Sequence, residues 1–529
     1  MKARPSPAGD LPSIGRTRRT RDLLVVLGDQ LDAEAPALRD LDRRKDALLM
    51  LEVRGEAEHV PSHRQRTTLF LSAMRHFALE RLAEGLPVLY VRFDERANTQ
   101  SLESELERIL PRLRPERVRV MQPGEHRVAK AIRAACRLRS TPLQILPDES
   151  FTCSLEEFNT WAEGRKSLVM EHFYRSRRRT LEIMLDPGGG PLGGEWNFDG
   201  HNRQSFRKAP EVRPPYRSRP DAVTREVMEQ VERTWPGAYG RMKSFGWPVT
   251  RRQARRALAD FIQHRLARFG TYEDAMWTGQ PFLYHSALSA ALNLKLLRPR
   301  ECVHAALQAL AEGRAEINNV EGFVRQLIGW REFIRGVYYR EGPGYVRRNG
   351  LEQSGRLPEF FWTGETRMNC LGQCLNQVLD HGYSHHIPRL MVIGNFALTA
   401  GVDPAEVHRW FLAMYVDAVE WVTAPNVIGM SQYADGGVVG TKPYVASGKY
   451  IRRMSNYCET CAYDPERRTG KDACPFNTLY WDFLFRHRLR FARNHRMSMM
   501  LRNLDHIEER ERKQIRARAR RLRAEFGVQ

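Results

Sequence analysis

A chain of 529 residues outgrows a single hydrophobic core, so two or more domains are expected. Apolar residues make up 42%, which excludes a disordered chain, and no apolar run approaches a membrane span or a secretory signal. With 84 Lys and Arg against 63 Asp and Glu the net charge is +21, pointing to nucleic acid, since no basic segment is also rich in the Leu and Trp that a lipid surface would want.

Residues 1–21 are Pro-rich and basic and are expected to form a flexible tail. From 22 to 150 strand-like runs alternate with helical ones: LLVVLG (23–28), ALLMLEV (47–53), PVLYVRF (87–93), VRVMQ (118–122) and LQILPD (143–148), with an amphipathic helix expected over 66–85. Continuous apolar strands joined by helices predict an α/β domain with a parallel, doubly wound sheet, whose ligands sit at the carboxyl ends of the strands. The corner Gly28-Asp29-Gln30 ends the first strand and is a candidate pocket. Residues 151–220, rich in Arg, Gly and Pro, are expected to connect two domains. An all-α domain follows over 221–505, and a charged, solvated helix closes the chain over 506–529. The chain lacks G-x-G-x-x-G after a strand, a phosphate loop and H-E-x-x-H, which argues against nicotinamide, P-loop and zinc-protease chemistry.

The eight cysteines are too few for a disulfide framework in a chain of this length, and in a cytoplasmic protein clustered cysteines point to metal or catalysis. Cys458, Cys461 and Cys474 read C-E-T-C-(x12)-C-P, with Cys370 and Cys374 the only other cysteines in the helical half apart from Cys302. A C-x2-C pair grips a metal from one side of a turn, and both zinc and [4Fe–4S] take four thiolates; the closing Cys-Pro tilts towards iron–sulfur. The polar residues that open a helix around Ser286 to Ser289 suit a phosphate, because amides at a helix start are free donors. The 200–217 stretch and the acid-free run from Arg486 to Arg502 are candidate DNA contacts.

The block from Tyr272 through His285-Ser286-Ala287-Leu288-Ser289 resembles the segment with which photolyases and cryptochromes hold the FAD diphosphate. Trp330-Arg331 within GWREF, Arg389-Leu390-Met391, and the stretch Tyr415 to Gly437 carrying Asp417 and Asn426 resemble their flavin-ring contacts. GDQL, the HNRQ at 201–204, HHIPRLM, PNVIGMSQ and ACPFN together resemble the iron–sulfur bacterial branch, the prokaryotic (6-4) photolyases, over about residues 22–500.

That resemblance implies FAD, a [4Fe–4S] cluster on Cys370, Cys458, Cys461 and Cys474, and a 6,7-dimethyl-8-ribityllumazine antenna against Asp29, Gln30, Glu56 and Phe70. It implies that His386 is a proton donor with His385 in support, and that Trp362, Trp410 and Tyr450 relay electrons. Phe411 stands where a Tyr is expected, which interrupts any relay through that position. The implied activity is light-driven repair of (6-4) lesions in UV-damaged DNA by a cytoplasmic monomer. Two rival readings are a light-signalling cryptochrome and a DNA-binding iron–sulfur protein without photochemistry that resembles the large primase subunit.

Overall fold

The computed structural model describes residues 11–13 and 19–528, so most of the tail expected over 1–21 lies outside the described residues. The described part of that stretch is not free. Leu11 is buried, and the Tyr90 N–H donates to the Pro12 carbonyl at 3.0 Å.

Five strands, β1 (Asp22–Val25), β2 (Ala47–Leu51), β3 (Val88–Val91), β4 (Arg117–Met121) and β5 (Leu143–Leu146), form one parallel sheet in the order β3-β2-β1-β4-β5. β1 and β2 are buried along their whole length, as apolar strands covered on both faces must be. Strand order reverses between β1 and β4, so a crevice opens beyond their carboxyl ends, where Gly28-Asp29 leaves the sheet.

The helix expected to be amphipathic, Arg64–Ala83, is instead buried nearly all round. It runs between the sheet and the helical half, so both of its faces find protein. Arg75 forms a fully buried pair with Glu52 on the sheet side (2.7 Å). On the other side Gln65 donates to the Arg241 and Asp380 carbonyls at 2.6 and 2.8 Å. His63 caps the helix: its Nδ1 accepts from the Gln65 N–H at 3.0 Å while Nε2 lies 3.1 Å from the Leu379 carbonyl.

The 151–220 stretch is more structured than a plain connection. It carries helices Leu155–Ala162 and Met170–Thr180, and Phe158 and Phe173 pack on Phe333. Beyond it the chain is helical to the end. The last helix, Glu509–Glu525, is not simply solvated: Ile515, Ala519 and Leu522 are buried, and Arg523 pairs with the buried Asp482. Among the described residues no helix is long and apolar enough to cross a membrane.

Candidate functional site

The helical half encloses a cavity of about 870 Å³, within the range of cofactor sites. Three π-helical turns supply much of its wall: Arg325–Arg331, Pro388–Gly394 and Pro425–Ser431. Such turns carry an extra residue per turn and concentrate at functional sites.

Of the nine residues expected to hold a flavin, His285, Ser286, Ser289, Trp330, Arg331, Asp417 and Asn426 line this cavity. Tyr272 does not; it stacks on Phe206 at 4.4 Å and leans on Tyr284, bracing the 200–206 segment. Leu288 is core, 1% exposed. Both are corrections to the sequence reading: these two residues lie outside the cavity lining that the other seven share.

Arg389, on the second π turn, makes a two-bond pair with Asp417 (3.1 and 2.9 Å) and lies 4.0 Å over the Tyr415 ring. The Asn293 side chain donates to the Asp417 carbonyl at 2.6 Å and accepts from Arg331. Burial pulls the Arg331 guanidinium down to about 10, still charged at neutral pH. Polar atoms facing this space, His285 Nε2, Ser289 Oγ, Arg331 Nε and His385 Nδ1, are buried without a partner among the described residues. Buried polar groups are ordinarily satisfied, so a site with four orphans fits a polar, anionic ligand such as a dinucleotide.

His385 stacks face to face on His285 at 4.0 Å, and burial holds both imidazoles well below their ordinary value, hence neutral. His386 differs. It is half-exposed at the cavity mouth, its Nε2 3.6 Å from the Asp274 carboxylate. Neighbouring Glu273, which the sequence reading assigned no role, is pushed up to about 7 by burial, with Arg325 opposing.

The mouth is cationic. Arg203, Lys442, Arg453 and Arg496 line it, and Lys442 is pulled down first by burial and then by Arg496 and Arg203. The two stretches expected to meet DNA thus converge on one opening, through Arg203 and Arg496. Half of the 486–502 arginines are otherwise engaged, however: Arg486, Arg488 and Arg490 pair with Asp482, Asp505 and Glu352.

Trp410 is fully buried behind the cavity wall, edge-on to Phe411 at 5.2 Å and Tyr415 at 5.8 Å. Trp362 is half-buried further out, 4.6 Å from Tyr239. Tyr450 stands apart from both tryptophans. It lines the cavity mouth beneath Arg453 (5.5 Å), and among the described residues no ring contact joins it to Trp362 or Trp410.

Cys370, Cys458, Cys461 and Cys474 line one small cavity together with Tyr457, Ile451 and Phe476. Cys374, one turn from Cys370, points instead to the Tyr457 hydroxyl and takes no part in that lining. A Cβ on Gly448 would meet the Cys474 sulfur at 3.0 Å, so the backbone is drawn close around the thiols. Four convergent thiols are the donor set of a four-thiolate metal centre.

In the α/β domain a second, smaller cavity of about 110 Å³ opens at the strand ends. Asp29, Glu56 and Phe70 line it, as do Glu125, Arg66 and Trp235, which no sequence signal marked. Burial raises the Asp29 carboxyl, and Glu56 is paired with Arg127 at 2.7 Å. Gln30 is a correction: its amide donates to the Met121 carbonyl at 2.9 Å, tying β1 to β4 outside the cavity lining.

A family model described as deoxyribodipyrimidine photo-lyase-related protein matches residues 24–247. Over 499 residues, 94% of this chain and 98% of the relative, the sequence is 46% identical to a protein of Agrobacterium fabrum named (6-4) photolyase. A bacterial class III photolyase from Agrobacterium tumefaciens shares the fold at TM-score 0.54 and 17% identity, covering 83% of this chain and 87% of that one. A Synechocystis cryptochrome does so at TM-score 0.55 and 13% identity, with 83% and 89% covered.

Proposed function

As a member of the (6-4) photolyase family, the protein is, we propose, a light-driven lyase that restores (6-4) pyrimidine lesions in UV-damaged DNA, acting as a monomer with FAD, a [4Fe–4S] cluster and a lumazine antenna. The observation that carries this reading is one cavity that combines orphaned polar groups suited to a flavin with a histidine at a cationic mouth. Bound reduced flavin, excited by light, supplies the electron that opens the lesion; the protein binds, orients and protonates.

Arg203, Lys442, Arg453 and Arg496 take the phosphates on either side of a flipped lesion. Flipping costs little, because the damaged pair is already poorly stacked. Restoring the two bases requires a group to pass from one to the other, and His386 donates a proton to that group. His386 is the adjacent histidine suited to this step: it faces solvent and a carboxylate, whereas His385 is buried, stacked and neutral. Ser286, Ser289 and Arg331 would hold the flavin diphosphate, and the Arg389–Asp417 pair in the same lining would serve its ring end. Cys370, Cys458, Cys461 and Cys474 would hold the cluster, and Asp29, Glu56 and Phe70 would line the antenna site.

The test is His386→Ala with chemically reduced flavin. A placed proton donor is worth ~10²–10⁴-fold in rate, so lesion loss measured by chromatography should fall by that factor while lesion binding and flavin content hold. Equal repair by wild type and variant would make the histidine structural. A wild type that photoreduces but repairs nothing would favour the cryptochrome reading.

A further inference from the structure

The two tryptophans form a path that leads from the cavity wall out to the half-buried Trp362. Trp410 touches the cavity wall at Phe411 and Tyr415. Its indole N–H donates to the Phe361 carbonyl at 3.1 Å, and that carbonyl belongs to the peptide joining Phe361 to Trp362. A hydrogen bond and one peptide therefore link the inner ring to the outer one. Phe411 has a ring that is not easily oxidised, and Tyr450, which lines the cavity beneath Arg453, makes no ring contact with either tryptophan among the described residues.

Beyond Trp362 comes Tyr239, its ring centroid 4.6 Å away at a tilt of 31°. It is half-buried, at the surface end of the path, and its loop is held rather than loose. The Arg64 N–H donates to the Tyr239 carbonyl at 3.0 Å, the Arg64 side chain to Ala238 at 2.8 Å, and the Arg241 N–H to Leu379 at 2.8 Å. Among the described residues, Tyr239 is the aromatic ring in contact with Trp362.

We propose that Tyr239 is the outer end of the electron relay and refills Trp362 each time the flavin draws an electron through it. The inference rests on the flavin-relay reading above and adds a residue to it. Drawing one electron inwards leaves Trp362 one electron short. Tyr239 returns that electron, and its phenolic proton passes to water, so the tryptophan is restored and a neutral tyrosyl radical stands at the surface. A thiol in solution then gives the radical a hydrogen atom, which regenerates the phenol and leaves a thiyl radical. Two such rounds supply the two electrons of full flavin reduction. Holding the hole on the half-buried Tyr239, away from the cavity, slows its return to the flavin.

The experiment uses the full-length, flavin-loaded protein. A blue flash without thiol is followed by electron paramagnetic resonance, and steady illumination with thiol by loss of oxidised-flavin absorbance. Wild type should show a tyrosyl signal. Tyr239→Phe, at unchanged flavin content, should lose that signal and photoreduce several-fold more slowly. Tyr239→Trp should keep the rate and carry a tryptophan signal instead, which separates electron transfer from packing. If Tyr239→Phe keeps both signal and rate while Trp362→Phe stops photoreduction, Tyr239 is not the outer donor. If Trp362→Phe itself photoreduces like wild type, the relay reading fails, and the proposal falls with it.

Discussion

Replacing Arg389 by Met isolates the electrostatics of the cavity wall. The wild-type pair has two bonds of 3.1 and 2.9 Å, and the Asp417 side chain is only 7% exposed. Met fills much of the volume but strands a carboxylate where water hardly reaches. Breaking a buried pair from one side costs about 3–5 kcal/mol, and the partial exposure of Arg389, 26%, places this case near the lower end. About 3 kcal/mol corresponds to ~100-fold in flavin affinity or an equivalent loss of stability. Asp417 can escape the cost by taking up a proton, so the defect should deepen as pH rises above the ordinary carboxylate range. The measurement is flavin affinity and thermal midpoint at pH 5 and pH 8 for Arg389→Met, Asp417→Asn and the pair combined. The double variant should be less damaged than Arg389→Met alone, because no charge is left unpaired. Arg389→Met binding flavin within threefold of wild type at pH 8, or a double variant as weak as both losses summed, would refute the reasoning.

Cys370→Ser should lose iron and sulfide and most of the soluble yield, whereas Cys374→Ser, outside the four-thiol cavity, should keep both; metal analysis decides, and exchanged outcomes would reassign the fourth ligand. Binding of damaged duplex should weaken steeply as salt rises, because the cationic mouth displaces counterions, and a salt-independent affinity would contradict that role. Acid should destabilise the fold between pH 6.5 and about 4: burial pulls His63 down to about 4, so the folded state holds fewer protons than the unfolded one and stability drains as pH falls, by up to ~3 kcal/mol. A proton on Nδ1 would also face the Gln65 N–H, so His63→Asn should make the loss of thermal midpoint across that range shallower, by the share of His63 alone, because His408 and His487, which burial also pulls down to about 4, keep contributing; an unchanged acid slope would remove His63 from the account.

The sheet was legible because its strands are continuous apolar runs between helices, a pattern with few other solutions. The four thiols were legible as spacing plus family likeness; C-x2-C is local, whereas Cys370 comes from a distant helix that no spacing rule reaches. Where reading failed, tertiary context had overridden the local pattern. Helix Arg64–Ala83 carries polar residues on a face that looks solvated, yet those residues pair with Glu52 and with carbonyls of the helical half. The arginine run from 486 looks like an open cationic strip, yet half of it is answered by acids close in space, and only one of those acids is close in sequence. Tyr272, Leu288 and Gln30 sit in segments whose other members line the cavities and still turn away from them, since a motif marks a segment and not the direction of each side chain.

The flavin-side wall shows the physical limit most clearly. On a regular helix each residue turns by about 100°, so three consecutive side chains cannot share one face. Arg389, Leu390 and Met391 nevertheless all line the cavity, and so do Arg325, Gln326 and Leu327. The wider π turns make this possible, and each contains a glycine: Gly329, Gly394 and Gly429. A Cβ on Gly394 would come 2.1 Å from the Ser431 hydroxyl, so the second and third turns are pressed together where they meet behind the cavity. The Gln432 amide, donating to the Gly394 carbonyl at 3.1 Å, closes the same contact. A π turn weakens the regular helical ladder and persists only where its surroundings hold it. Here two such turns brace each other, and what they gain is a wall denser in functional side chains than an α-helix can present. Periodicity at 3.6 residues per turn has no place for three consecutive lining residues such as those of the first two turns.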